Sequence, residues 1–247
     1  MENLSLETLE NGAGFAVGSM SANELETIRS IIREQYLHRL LVQSPKQVHK
    51  FFNVPMTQYH QLSDLIDHRA MWPKTTRIVG PASMERIKSL PFFKNLTDIF
   101  DIKALATEEG CGWQEMYWRI VRPGQSDIGD YHADRWFWDL GHGTMPKGMR
   151  RIKIWMAIEV VEGESGLLVL PESQKRTDWA YHGEVDHTGI AKPKFDEDIS
   201  QLNVYNVPTK PGDFIVFHDD LIHRGMANES TETRVSLEAT LLIPEKT

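Results

Sequence analysis

Only one cysteine, Cys111, occurs in 247 residues, so the chain has no partner for an internal disulfide and no thiolate cluster for zinc. A lone thiol suits a reducing compartment, and the expectation is a cytoplasmic protein. No basic-then-apolar leader is present, and no apolar run approaches ~18 residues, so neither export nor membrane spanning is indicated. Basic blocks are missing too: 27 Lys and Arg stand against 35 Asp and Glu, a formal net charge of −8. That balance argues against a partner nucleic acid and against an anionic membrane surface. It fits a soluble enzyme acting on a small molecule, as a monomer or homodimer. Internal repeats and low-complexity tracts are absent. With 40% hydrophobic residues, the chain can bury one sizeable core, and one domain spanning 1–247 is expected.

The front of the chain carries helical signals. Asn11-Gly12 marks a turn before a short strand, Gly14 to Val17. Ser21 and Glu24 have capping-box spacing, and Leu25, Ile28, Ile31, Ile32 and Leu40 then recur at helical intervals, predicting a helix over 22–42. Further helical stretches are expected over 57–70 and over 83–102, the latter interrupted by Pro91. His38, His49, His60 and His68 lie in this part and read as surface or capping residues.

From Gly112 onward the period alternates. Strands are expected at Trp113–Val121, Arg151–Val161, Gly166–Pro171, Asn203–Val207, Phe214–Phe217 and Arg234–Ile243, with a Gly-rich loop at 141–148. The long polar span 172–200 reads as an irregular loop and a candidate lid. Short strands without crossover helices favour an antiparallel sandwich or barrel.

The chemistry concentrates in Tyr131-His132-Ala133-Asp134-Arg135-Trp136-Phe137-Trp138. On an extended strand, His132 and Asp134 would share a face and grip one ion together. His223, 89 positions after Asp134, supplies a third ligand. Two histidines and one carboxylate on one side of a metal leave the opposite positions open, the arrangement of non-haem iron(II) oxygenases. Arg234, eleven residues beyond His223, is a planar cation suited to a carboxylate. Its alternative is an ordinary surface ion pair with Glu229 or Glu232. His218 rivals His223 by position.

Taken in order, several segments resemble the phytanoyl-CoA dioxygenase-like branch of the iron(II)/2-oxoglutarate oxygenases, to which ectoine hydroxylase belongs. They are Asn11-Gly12-x-Gly14-Phe15-x-Val17, His132-x-Asp134, Gly166 to Lys175, Pro211-Gly212-Asp213 to His218, Leu221-Ile-His223 and Arg234. The resemblance spans most of the chain, with 40–110 its least informative part. It implies a double-stranded β-helix (jelly-roll) core over 111–247 and a helical flank over 1–110. It also implies oxidative decarboxylation of 2-oxoglutarate with O2, giving succinate and CO2, coupled to hydroxylation of a small-molecule metabolite. Two departures stand out: Pro171-Glu-Ser-Gln174 where the family often has Pro-Gly-Ser-His, and Ala133 where some members carry a polar residue.

On this resemblance, His132, Asp134 and His223 hold Fe(II), while 2-oxoglutarate chelates two open positions and meets Arg234 with its far carboxylate. His218, by family position, packs nearby or supports a ligand. Ser236 faces the same side as Arg234 and adds a hydroxyl. Lys153 and Trp155 share a strand face that borders the co-substrate, Trp155 as a wall and Lys153 as a second donor or else a solvent-facing residue. Gln114 and Trp118, with Met116, would line the first core strand toward substrate, Met and Trp there also being ordinary core types. Trp138 matches an aromatic of ectoine-acting members and is the preferred substrate wall, with Trp136 sealing the core. His142, His182 and His187 lie in loops. Asp134 argues against a halogenase, which lacks this carboxylate. Two other classes remain: a cupin-like metal enzyme that does not use 2-oxoglutarate, and a non-catalytic ligand-binding barrel. The primary substrate is not legible.

Overall fold

The computed structural model describes residues 4–185 and 189–245. The helical flank contains α1 (Leu6–Glu10), the strand β1 (Phe15–Ser19), α2 (Ala22–Gln43), α3 (His68–Met71), α4 (Pro81–Lys88) and α5 (Pro91–Phe100). Ser21 and Glu24 form the expected capping box, and Glu24 also accepts from Phe92 N at 2.7 Å, tying the starts of α2 and α5 together. Each of α4 and α5 opens on a proline, where a missing N–H costs no helical bond. Two helices therefore replace the single interrupted one. The 57–70 stretch is a 3₁₀ helix, Met56–Leu65, followed by α3.

The remaining elements are β2 (Ala104–Leu105), β3 (Tyr117–Val121), α6 (Asp134–Asp139), β4 (Met149–Glu159), β5 (Leu167–Val169), β6 (Tyr181–Val185), β7 (Ala191–Phe195), β8 (Tyr205–Val207), β9 (Asp213–His218), β10 (His223–Gly225) and β11 (Arg234–Pro244). In the large sheet the order is β1-β9-β4-β11-β2, and β3 lies along the same β11 strand. The smaller sheet runs β10-β5-β8. Every pairing is antiparallel. This is the jelly-roll core with flanking helices, although the large sheet takes strands from both sides of residue 110.

Alternation along β4 and β11 sorts side chains into two layers. Ile152, Ile154, Met156 and Ile158, with Leu237, Ala239 and Leu241, pack against the helices. Trp155 and Ala157, with Ile215 and Phe217, pack against Leu167, Val169 and Val207 of the small sheet. β11 alternates accordingly, with Arg234, Ser236, Glu238 and Thr240 on one face and Val235, Leu237, Ala239 and Leu241 on the other, although both faces are buried.

Three expectations are corrected. β3 begins at Tyr117 instead of Trp113. The 172–200 span is not irregular: β6 and β7 form a hairpin with Tyr181 opposite Phe195. His187 lies outside the described residues. The extended reading of His132-Ala-Asp134 also fails, because Ala133 is the N-cap of α6 and Asp134 its first helical residue.

Candidate metal centre

His132 and His223 are brought together by an isolated antiparallel bridge: each backbone N–H donates to the other's carbonyl, at 3.0 and 2.9 Å. The two imidazole centroids are 4.5 Å apart. The chain then turns from this bridge into α6, which carries Asp134 back over the rings. Arg135 N, donating to Asp219 O at 3.0 Å, anchors that turn to the end of β9. One nitrogen of each histidine and one oxygen of Asp134 fall within 4.8 Å of one another. The convergence thus rests on a bridge and a helix start instead of on one strand.

Local hydrogen bonds orient the rings. Nδ1 of His132 lies 2.8 Å from Asp130 O, and Nδ1 of His223 lies 3.0 Å from Leu221 O. Donation to these carbonyls places the proton on Nδ1 and leaves each Nε2 lone pair for a metal. Burial pushes the His132 imidazole down to about 4, and the neighbouring His223 adds to this; burial likewise lowers His223 against the pull of Asp134. For Asp134, burial opposes ionisation, but Lys153 and the two imidazoles outweigh it and hold the carboxyl well below the usual carboxylate range. Two neutral imidazoles and one carboxylate are the protonation states that metal ligation requires.

A divalent cation fits this set. Asp134 Oδ2 is buried, accepts no hydrogen bond, and lies 3.7 Å from His223 Nε2. A buried carboxylate oxygen left without a donor is costly, and a bound cation removes that cost. Phe217 packs 4.6 Å from the His223 ring and Phe137 5.1 Å from the His132 ring, which limits water around the ligands.

Lys153 points inward. Its Nζ donates to Thr240 Oγ1 at 3.0 Å and stands 3.6 Å from Asp134 Oδ1. Trp155, 3% exposed, walls the same interior two residues along β4. Arg234 is also interior, 3% exposed, with Nη1 donating to Gly166 O and Met226 O at 2.8 Å each. It makes no ion pair with Glu229 or Glu232, and among the described residues no carboxylate lies within ion-pair distance of it. Burial draws its guanidinium down to about 10, against the pull of Glu238, so it stays charged at neutral pH. Ser236 is fully buried and donates to Glu238 Oε1 at 3.4 Å.

Gln114 and Trp118 lie elsewhere. Gln114 Oε1 accepts from Leu105 N at 2.8 Å, bracing β2. Trp118 and Met116 are on the helix side of the sheet, where the Trp118 ring packs 5.3 Å from Trp72 and its Nε1 donates to Gln35. The inward residues of β3 are Tyr117 and Arg119, opposite Glu238 and Ser236 of β11. Tyr117 donates to Glu238 at 2.9 Å, and Arg119 pairs with Glu238 at 2.9 Å. Sequence reading missed Tyr117, Arg119, Glu238 and Glu108. The signal available for the first two was that an interior lining needs polar side chains, and 117 and 119 are the polar parity of that strand.

Trp138 lies under the Arg151 guanidinium, 4.2 Å from its ring centroid, in a cleft of about 480 Å³ shared with Arg135, His218 and Asp219. Trp136 stacks on Tyr181 at 4.3 Å and so joins α6 to the hairpin. His142 adds a second tie, to Ala191 O at 2.6 Å, and His182 pairs with Asp196 at 2.8 Å. His218 is absent from the ligand triad; it accepts from Asp220 N, while Asp219 and Asp220 pair with Arg151 and Arg135.

A family model described as phytanoyl-CoA dioxygenase (PhyH) matches residues 10–236. No curated protein sequence matches the chain. Among solved structures, the chain is similar to the non-heme alpha ketoglutarate dependent carbocyclase SnoK from nogalamycin biosynthesis, at TM-score 0.57 and 14% identity, covering 98% of this chain and 85% of that one. It is similar to EvdO2 from Micromonospora carbonacea var. aurantiaca complexed with 2-oxoglutarate, at TM-score 0.55 and 16% identity, covering 99% and 94%. EctD from S. alaskensis, with 2-oxoglutarate and 5-hydroxyectoine, aligns at TM-score 0.54 and 13% identity, covering 96% and 76%. At these identities the likeness is one of fold.

Proposed function

This chain belongs to the phytanoyl-CoA dioxygenase (PhyH) family, and from that premise we propose that it is an iron(II)- and 2-oxoglutarate-dependent dioxygenase hydroxylating a small-molecule metabolite. The observation that carries the reading is the joint presence of an unpartnered carboxylate oxygen between two metal-ready imidazoles and a buried guanidinium without a carboxylate. His132, Asp134 and His223 would hold the metal. Iron bound there supplies O2 activation coupled to decarboxylation of 2-oxoglutarate, giving succinate and CO2.

The chain's own residues then have separable tasks. Arg234 offers its remaining N–H groups to a distal carboxylate, with Ser236 beside it on β11. Trp155, Phe217 and Phe137 place apolar surface beside the ligands and limit water there. Backbone carbonyls of Asp130 and Leu221 keep the Nδ1 protons in place, so neither ring turns its N–H toward the metal. A cupin-like enzyme without 2-oxoglutarate would leave the buried Arg234 charge unexplained. The test is an anaerobic titration of the protein with iron(II) and then 2-oxoglutarate, followed by a metabolite screen for succinate release. Appearance of the weak visible charge-transfer band supports the reading; iron binding with no response to 2-oxoglutarate overturns it.

A further inference from the structure

Five charges of alternating sign run outward from the metal carboxylate. Lys153 Nζ lies 3.6 Å from Asp134 Oδ1 and 3.8 Å from Glu108 Oε1. Glu108 meets Lys74 at 3.0 Å, and Lys74 meets Glu109 at 2.8 Å. The Thr240 hydroxyl accepts from Lys153 and donates to Glu108, tying the middle pair together. Glu108 stands in the loop after β2, and that loop is fixed from below: the Glu115 carboxylate accepts from the backbone N–H groups of Glu108, Glu109 and Cys111. Glu115 N donates in turn to Ala106 O at 3.0 Å. The loop that carries Glu108 is therefore held by the Glu115 carboxylate, and the Glu108 side chain by Thr240 and Lys74.

Lys153 donates one hydrogen bond, to Thr240, and its charge is shared between two carboxylates, Asp134 at 3.6 Å and Glu108 at 3.8 Å. Left to itself, such a cation would work against a metal in two ways, by competing for Asp134 and by repelling a divalent ion. Glu108 offsets both. We propose that Glu108 is a positioning residue for the metal ion, balancing Lys153 so that this ammonium engages only Oδ1 of Asp134 and leaves Oδ2 to the ion. With the Lys153 charge beside Oδ1, the carboxylate would ligate through Oδ2 alone and leave open a coordination position that the chemistry needs. This inference rests on the metal reading above.

The experiment is an anaerobic Co(II) and Fe(II) affinity titration of the metal-free full-length protein. Glu108→Gln strands the Lys153 charge and is expected to raise the metal Kd ~10-fold, within the range for outer-sphere partners. Glu108→Asp keeps the charge and is expected to stay within ~3-fold of the parent protein. Glu108→Gln combined with Lys153→Met removes both charges and is expected to recover most of the loss, whereas independent losses would accumulate. Parent-like affinity in Glu108→Gln, or a double variant as weak as Glu108→Gln alone, overturns the proposal. Should Glu108→Gln not fold, a double variant binding more than ~10-fold worse than Glu108→Asp overturns it equally. Failure of the parent protein to bind either metal would instead remove the function proposed above.

Discussion

Gly225 is the position where a single methyl group tests the co-substrate site. A Cβ built there stands 2.9 Å from Arg234 Nη2 and 3.5 Å from Ile128 Cγ2. The glycine backbone is not in the left-handed region, so Gly225→Ala meets a steric obstacle and no conformational one. Relief requires the guanidinium to retreat by roughly half an ångström, since carbon and nitrogen pack best near ~3.5 Å. Arg234 cannot move freely, because Nη1 is held to Gly166 O and Met226 O at 2.8 Å each. Stretching two such bonds costs about 1–2 kcal/mol, a factor of roughly 5–30 in an equilibrium constant. We expect the 2-oxoglutarate affinity of the iron(II) protein to fall by that factor, with metal affinity unchanged. Melting should drop by roughly 2–8 °C for a chain of this size. The assay is the anaerobic charge-transfer titration, run beside Arg234→Lys and the double variant. If Gly225→Ala binds 2-oxoglutarate normally, or if its loss simply adds to that of Arg234→Lys, the guanidinium is not the group the methyl displaces.

Removal of metal and co-substrate ligands should separate cleanly: His223→Ala is expected to abolish metal binding and turnover, whereas Arg234→Met keeps the metal and raises the 2-oxoglutarate requirement by more than ~10-fold. Stability should depend on pH through His68, whose imidazole is pushed down to about 4 by burial, against the opposing pull of Asp127. Its unfolded value is near ~6.5, so this contribution is complete above that pH and is lost as pH falls toward about 4. The loss amounts to at most about 3 kcal/mol, and denaturant melts of His68→Gln should show a flatter profile over that window. Glu24→Ala removes acceptors for Ser21 N and Phe92 N at 2.7 Å each and should cost about 2 kcal/mol by chemical denaturation, with the metal site unaffected.

Local rules account for a large part of this protein from its sequence alone. The capping box at Ser21 and Glu24 marked the start of α2, because a cap is an interaction between residues three apart. His132, Asp134, His223 and Arg234 stand out in the sequence as candidates because their chemistry is specific and their order along the chain is distinctive, and the fold brings the first three within 4.8 Å of one another. Parity on β3 does not stand out. Gln114, Met116 and Trp118 were an even-numbered choice that the register with β11 replaces by Tyr117 and Arg119. Both faces of that strand are buried, one against the helices, so burial alone does not tell them apart, and only the polar parity of 117 and 119 marks the inner one.

The conformation at Asp134 belongs to the same class. Two residues after His132, it reads as strand from spacing alone, yet Ala133 caps a helix there. Residue identity thus determined which groups can ligate a metal and grip a carboxylate, since those properties reside in single side chains. Only tertiary structure decided that Lys153 lies against Asp134 and is balanced by Glu108, and that Gly225 leaves room for Arg234. Those arrangements depend on strand register and on loop closure between residues as far apart as Glu108 and Thr240, distances over which sequence spacing carries no directional information.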